Sequence, residues 1–115
     1  MDDKKIVSDE DFFDLSQPVV FKREWGKMRF LLLLVGGDVY LIRGGNFERH
    51  SEIVEKMEQN FKSVRALGGG KIIIFDYRKE ITFGDASGDF GSPRENWEIV
   101  YRLLKVKYPD YVIEK

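Results

Sequence analysis

The stretch MRFLLLLVGGDVYLIR, residues 28–43, holds two apolar runs separated by the pair Gly36-Gly37. This pattern is typical of a β-hairpin, because glycine readily adopts the positive φ angles of tight turns. The first run, residues 30–35, does not alternate between apolar and polar side chains. It is therefore either a strand covered on both faces or a fragment of a buried helix. Its length of six residues and the flanking turns favour a central strand.

Extended runs also lie on both sides of this hairpin. The runs that we predict as strands cover residues 19–24, 28–35, 38–43, 63–67, 71–75, 80–84 and 111–113. Residues 25–27, residues 76–79 and the triplet Gly68-Gly69-Gly70 are predicted as turns, because glycine and polar residues interrupt the apolar runs there. We expect about six strands in one mixed sheet.

Two segments have the spacing of amphipathic helices. Apolar side chains recur every three or four residues after Asn46, a favourable N-cap residue, and predict a helix over residues 47–62 with His50 near its start. A second helix is indicated by Ser92-Pro93-Arg94-Glu95, whose serine suits the N-cap, whose proline suits the first turn and whose glutamate completes a capping box. Strands and helices together predict an α/β fold, a single domain with two helices packed on the sheet.

The chain is divided at residue 17 by its composition. Residues 1–17 mix charged side chains with an isolated Phe12-Phe13 pair, which indicates a flexible or late-docking N-terminal arm, and residues 18–115 are the predicted domain. The first ten residues lack the basic region and apolar run of a signal peptide. The longest apolar run is far shorter than the roughly 20 residues of a membrane-spanning helix. We expect a soluble, cytoplasmic protein without membrane contact.

The composition excludes several kinds of chemistry. The absence of cysteine excludes disulfides, thiolate catalysis and cysteine-bound zinc, and a single histidine leaves little other zinc chemistry. Nineteen Lys and Arg residues stand against twenty Asp and Glu residues, which gives a formal net charge of -1. Such a chain has no overall field that attracts nucleic acid, so no nucleic-acid partner is expected. Any anion site has to be local.

His50 is the only histidine and lies in the first turn of the predicted helix. The free N–H groups and the positive dipole end there favour a bound anion and disfavour a second positive charge, so we expect a neutral imidazole. A neutral imidazole beside an anion site can accept a proton from an attacking water or can itself attack a phosphoryl group. The alternative is a structural histidine at the edge of the core, hydrogen-bonded to a backbone carbonyl.

Two glycine-rich segments could approach an anion closely. The triplet Gly68-Gly69-Gly70 precedes Lys71, but its neighbours do not fit a Walker A phosphate loop, so a tight connection is the simpler interpretation. The loop of residues 84–91 could present backbone N–H groups and the hydroxyl of Ser87 to an anion, or it could be a plain connection. It has too few evenly spaced oxygen ligands for calcium. The arginines that could pair with phosphate, or could simply be solvated, are Arg29, Arg43 and Arg49.

Three short motifs follow one another in the chain. They are Arg49-His50-Ser51-Glu52-Ile53, Leu67-Gly68-Gly69-Gly70-Lys71-Ile72 and Lys107-Tyr108-Pro109-Asp110-Tyr111. In this order and spacing they resemble the phosphohistidine phosphatase family, also called the Janus/Ocnus family, over about residues 28–111. The family has Tyr-His-Ala-Asp-Ile and Leu-Gly-Gly-Gly-Arg-Ile at the first two motifs, and the third matches residue for residue.

The resemblance implies metal-free hydrolysis of a phosphoramidate P–N bond, without a cofactor. Phosphohistidine-containing proteins are the implied partners, and His50 takes the position of the family's catalytic proton acceptor. Whether His50 acts as general base or as nucleophile stays open. The phosphate-binding residues that the resemblance implies are Arg29, Arg49, Ser51, Lys71, Asp85, Ala86, Ser87 and Gly88.

Two departures from the family pattern leave an alternative function open. Lys71 keeps the charge of the family's arginine but lacks its bidentate geometry. The family's Tyr-Ser-Met-Ala segment after a glycine is replaced by Asp85-Ala86-Ser87-Gly88, and Asp85 and Asp89 would bring negative charge near a bound anion. The alternative is a non-catalytic module that binds phosphate or phosphoproteins in the same pocket. The sequence does not determine the oligomeric state.

Overall fold

A mixed six-stranded sheet organises the fold. The computed structural model describes residues 8–23 and 26–114. Along the chain its elements are α1 (Asp9–Phe12), β1 (Val19–Phe21), β2 (Gly26–Val35), β3 (Val39–Gly45), α2 (His50–Glu58), β4 (Val64–Phe75), β5 (Glu80–Ala86), a 3₁₀ turn (Arg94–Asn96), α3 (Trp97–Lys107) and β6 (Val112–Glu114).

The strands lie in the order β1-β3-β2-β4-β5-β6. The four inner strands are antiparallel to one another, whereas the edge strands are parallel to the inner strands beside them, β1 to β3 and β6 to β5. Two of the helices are longer than a single turn. The predicted α/β single domain with a mixed sheet of about six strands and two packed helices is therefore confirmed. Among the described residues, no helix is long and apolar enough to cross a membrane.

The apolar run of residues 30–35 lies in β2 and is covered on both faces, as its lack of alternation predicted. Phe30 and Leu32 belong to a core with Val100 and Leu104 of α3. Leu31 and Leu33 point the other way, into a core with residues of α2 and with the buried ring of Phe12. Because successive strand residues point to opposite faces, α2 and α3 pack on opposite sides of the sheet.

The prediction of a turn at Gly68-Gly69-Gly70 is wrong, because all three residues lie inside the long strand β4. A Cβ atom on Gly69 would collide with the carbonyl oxygen of Phe30, and one on Gly70 with the carbonyl oxygen of Asp85. The register of β4 also shifts against both of its neighbours at this point. Gly69 and Gly70 are therefore required by close backbone approach within the sheet, not by a turn.

The first long helix is shorter than predicted and does not begin after Asn46. Helix α2 starts at His50, and no side chain caps its N-terminus. The preceding residues are held by other partners: the Phe47 carbonyl accepts a hydrogen bond from Arg29 at 2.6 Å, and the Glu48 N–H donates to the Glu52 carboxylate at 3.1 Å. These bonds keep the segment between β3 and α2 out of the helix, so His50 becomes the first helical residue.

The predicted capping box at residues 92–95 is also wrong. Pro93 precedes the 3₁₀ turn without a side-chain cap, and Arg94 has a φ of 55°. A left-handed residue at this point prevents direct entry from Pro93 into an α-helix, so α3 begins only at Trp97. Its predicted buried stripe is confirmed for Val100 and Leu104.

The described part of the N-terminal segment, residues 8–17, packs on the sheet through α1. Arg43 is completely buried beneath α1. It is therefore neither a phosphate ligand nor a solvated arginine, the two interpretations that the sequence left open. Its Nε donates to the Phe12 carbonyl at 2.7 Å and its Nη2 to the Asp14 carbonyl at 2.8 Å. Burial lowers the pKa of Arg43 to about 10, which still leaves it charged at neutral pH. The chain division at residue 17 stays a prediction.

Several sequence predictions fall partly outside the described residues. Residues 1–7 of the predicted arm lie outside them, as do Glu24 and Trp25 from the predicted strand and turn. The described residues of that turn, Gly26 and Lys27, begin β2 rather than precede it.

Candidate functional site

A pocket of about 310 Å³ opens where α2 begins, above the strands β2 and β4 and beside the end of β5. Its lining residues are Arg29, Glu48, Arg49, His50, Lys71, Asp85, Ala86, Gly88 and Asp89. Apart from the buried Arg43, the fold thus brings together all the predicted site residues except Ser51 and Ser87. Those two follow pocket residues in the chain but do not line the pocket.

His50 is fixed at the first position of α2 and is 6% exposed. Its Nε2 lies 2.9 Å from the carbonyl oxygen of Gly70 on β4. A carbonyl oxygen only accepts hydrogen bonds, so we assign the proton to Nε2. In the neutral ring Nδ1 then carries the free lone pair, which is the property that a general base or a nucleophile needs.

Burial is the largest cause that lowers the pKa of His50 below its ordinary value of 6.5. The hydrogen bond to Gly70 and the charge of Asp89 oppose this effect, while the cations Arg29 and Lys71 lower the pKa further. The imidazole is therefore neutral at neutral pH, in the predicted direction. From the sequence, the helix dipole is expected to keep the ring neutral, whereas in the structure burial is the largest cause of the lowered pKa.

Arg29 and Lys71 provide the positive charge at the base of the pocket. They face each other directly across the ladder between β2 and β4. Like charges in this relation repel, and among the described residues no carboxylate forms an ion pair with either of them. A bound anion would offset the repulsion. Arg29 is also anchored, because it donates to the Phe47 carbonyl in the segment leading to His50.

The loop after β5 forms the acidic rim of the pocket. Ser87 is buried beneath it and organises it: its N–H donates to the Gly69 carbonyl at 3.0 Å, and its Oγ accepts from the N–H of Phe90 at 3.1 Å. The Ser87 N–H is therefore committed inside the protein and does not serve an anion in the pocket. The carboxylates on this side belong to Asp85 and Asp89.

Three residues near the site were missed at the sequence level. Glu48 completes the acidic lining, and Lys27 and Phe47 line a second pocket that shares Arg29 and Lys71 with the first. Lys27 is two residues from Arg29 and shares its face of β2, but the prediction of a turn over residues 25–27 excluded it from the strand. Glu48 and Phe47 lie in an irregular segment, where the sequence has no periodicity to read.

The arrangement as a whole is a buried neutral histidine beside two opposed cations at a glycine-rich strand. Comparisons with known proteins agree with the motifs found in the sequence. The model of the Janus/Ocnus family matches residues 17–112 of the 115-residue chain. A comparison with curated proteins gives no match. Because the family model covers most of the chain, the protein belongs to the Janus/Ocnus family.

Proposed function

We propose that this protein is a protein phosphohistidine phosphatase that hydrolyses the P–N bond without a metal. The observation that carries the proposal is the hydrogen bond from His50 Nε2 to the Gly70 carbonyl. It leaves Nδ1 as the basic nitrogen of a buried histidine whose pKa is lowered, in a pocket that also holds Arg29 and Lys71. Phosphohistidine-containing proteins are the proposed partners, and no nucleic-acid partner is proposed.

The proposed reaction uses these groups in one of two ways. As a general base, Nδ1 takes a proton from water while the water oxygen attacks phosphorus; the P–N bond breaks, the substrate imidazole gains a proton, and inorganic phosphate forms. As a nucleophile, Nδ1 attacks phosphorus and the substrate P–N bond breaks, so that the substrate imidazole leaves and gains a proton; water then hydrolyses the phosphorylated His50, which releases inorganic phosphate and restores the free ring. In both routes Arg29 and Lys71 offset the charge on the phosphoryl oxygens.

The direct test is hydrolysis of a phosphohistidine peptide in the presence of EDTA. The native protein is expected to release phosphate, and His50→Ala is expected to lose at least about 100-fold in rate, the lower range for a general base. The control is Glu55→Gln, an exposed change on the same helix outside the pocket. Equal rates for the native protein and the folded His50→Ala variant would refute the role of His50.

The two chemical routes differ in their intermediate. Rapid quenching in alkali, followed by intact-mass measurement, detects a phosphoryl group on the protein only in the nucleophilic route. The chain has a single histidine, so a phosphoramidate found on histidine is located at His50 without further mapping.

The second candidate function is a non-catalytic module that binds phosphorylated proteins. It is favoured by one observation: the pocket holds the carboxylates of Glu48, Asp85 and Asp89, whose charge opposes the further negative charge that a reacting phosphoryl group develops, while Arg29 and Lys71 are still present to bind the group. Titration with a stable phosphohistidine analogue separates the two functions. Tight binding without turnover of the true substrate would favour the module.

The cytoplasmic location of the protein stays a prediction. Imaging of the tagged protein in cells tests it.

A further inference from the structure

The pocket around His50 continues on one side into a groove lined by cations. A second pocket shares Arg29 and Lys71 with it and reaches Lys27, and a third adjoins the second at Asn46 and Phe47. We name the cationic side chains of these two pockets the basic groove: Lys22, Arg23, Lys27, Arg29, Lys56 and Lys71. Among the residues that the structure describes, no carboxylate lines either pocket. The concentration is local, because the whole chain has a net charge of -1.

One end of the basic groove already binds a carboxylate from the protein itself. Asp9 Oδ1 lies 2.6 Å from Nζ of Lys22 and 3.1 Å from Nζ of Lys56. Hydrogen bonds from these two lysines lower the pKa of Asp9. An acidic side chain on an extended or helical segment can therefore reach this surface. At the other end Lys27 is exposed and, like Arg29 and Lys71, forms no ion pair among the described residues.

The opposite rim of the His50 pocket has the opposite charge. Within residues 8–23 and 26–114, Glu48, Asp85 and Asp89 are the carboxylates that line the pocket, whereas none lines the two pockets of the basic groove. A nucleic acid, which is negative along its whole length, would meet these carboxylates wherever it passed through the pocket. A polypeptide can instead be negative on one side of its phosphorylated residue and neutral or positive on the other.

We infer that the basic groove binds an acidic segment of the partner protein, on one side of its phosphorylated histidine. The inference rests on the proposed function for the phosphoryl group itself and adds the identity of the flanking sequence. Charge complementarity between a localised cationic groove and Asp or Glu side chains provides the selectivity. Each carboxylate of the acidic segment would be bound as Asp9 is bound, by ion pairs with lysine side chains.

The experiment measures dissociation constants by fluorescence anisotropy with three labelled peptides. Each contains a stable phosphohistidine analogue; one has Asp and Glu residues before it, one has them after it, and one has neutral residues on both sides. One of the two acidic peptides is expected to bind the native protein about tenfold more tightly than the neutral peptide at low ionic strength, as two or more exposed ion pairs would provide. The preference is expected to fall at ~0.5 M salt because exposed charges are screened.

Variants locate the effect in the groove. Lys27→Gln is expected to reduce the acidic preference by up to about fivefold, whereas Lys62→Gln, which removes the same charge at an exposed position outside the groove, leaves it unchanged. Asp9→Asn releases the two lysines that Asp9 occupies and is expected to tighten binding of the acidic peptide by about threefold. Equal affinity for all three peptides, or equal losses in Lys27→Gln and Lys62→Gln, would overturn the inference.

Two further measurements keep this inference separate from the proposed function. If the true phosphohistidine peptides are hydrolysed equally well whatever their flanking sequence, the inference about the acidic segment is refuted and the phosphatase proposal stands. If the acidic peptide binds more tightly but no peptide is hydrolysed, the inference about the acidic segment stands and the phosphatase proposal is refuted. A single-stranded oligonucleotide of matched length that binds the native protein more tightly than the acidic peptide would assign the groove to nucleic acid and overturn the inference.

Discussion

The two faces of the sheet carry different kinds of side chain. On the face covered by α3, the buried ring of Phe30 packs with Phe83 and Trp97, with ring centroids 4.9 to 6.3 Å apart. On the face covered by α2, apolar residues share the space with His50 and with Arg43, both buried. One face is therefore a plain hydrophobic core, and the other combines a core with groups that titrate or bind anions.

Because the two faces differ in this way, stability and the proposed chemistry can be changed separately. A cavity on the α3 face lowers the free energy of unfolding without touching the pocket. A change among the buried polar groups on the α2 face alters local order or proton binding.

The largest loss of stability is expected from Leu104→Ala on α3. Leu104 is completely buried, so its truncation leaves a cavity and is expected to lower the free energy of unfolding by about 3 kcal/mol. Urea unfolding measures the change. Val106→Ala on the same helix is the control, since Val106 is 68% exposed and should change stability by less than about 0.5 kcal/mol. A shift in the acid limb of activity in Leu104→Ala would contradict the separation of the two faces.

A smaller loss is expected from Arg43→Met beneath α1. The change leaves the carbonyls of Phe12 and Asp14 without their buried donor, at a cost of about 2 kcal/mol. Arg102→Met, at an exposed position on α3, is the matched control. Hydrogen exchange should rise most within residues 8–17 in the Arg43 variant. An increase spread evenly over the sheet would show instead that Arg43 supports the whole core.

Periodicity made much of this architecture predictable. The non-alternating run of residues 30–35 identified the central strand, and the helical spacing of apolar residues identified both long helices. The failures share one physical cause, which is that tertiary contacts overrode a local preference. The glycine triplet predicts a turn because glycine favours turns, whereas β4 needs these glycines for close backbone approach. Asn46 is a good N-cap, yet bonds to Phe47 and Glu48 delay the helix.

Most members of the candidate site were predictable from the sequence, but their individual roles and contacts were not. Arg29 and Arg43 looked alike as candidate ligands, and only the structure distinguishes the pocket arginine from the buried one. The partner of His50 was hidden for a similar reason. Gly70 lies 20 residues further along the chain and reaches His50 only because β4 runs beneath the start of α2. Such a contact depends on strand register, which single residues do not encode.

The smallest expected effect on stability is the pH dependence that His50 provides. Burial lowers its pKa in the folded protein below the unfolded value of 6.5. Between these two values the unfolded chain binds more protons than the folded protein, so stability falls as the pH drops below 6.5 and levels off below the folded pKa. Above pH 6.5 this contribution is constant, because His50 is neutral in both states.

Comparison of the native protein with His50→Gln isolates this contribution, because the carboxylates that titrate at lower pH are common to both. The difference in unfolding free energy between the two proteins should be constant above pH 6.5. Below pH 6.5, the native protein should lose stability relative to His50→Gln as the pH falls toward the folded pKa. Proton NMR of the single histidine gives its folded pKa directly. A folded pKa of 6.5 with a flat difference curve, or a folded pKa above 6.5 with a curve that changes in favour of the native protein as the pH falls, would mean that burial and the cations do not control this histidine. The acid limb of kcat/KM for the proposed hydrolysis should fall at the same pKa, because only the neutral ring can act as base or nucleophile.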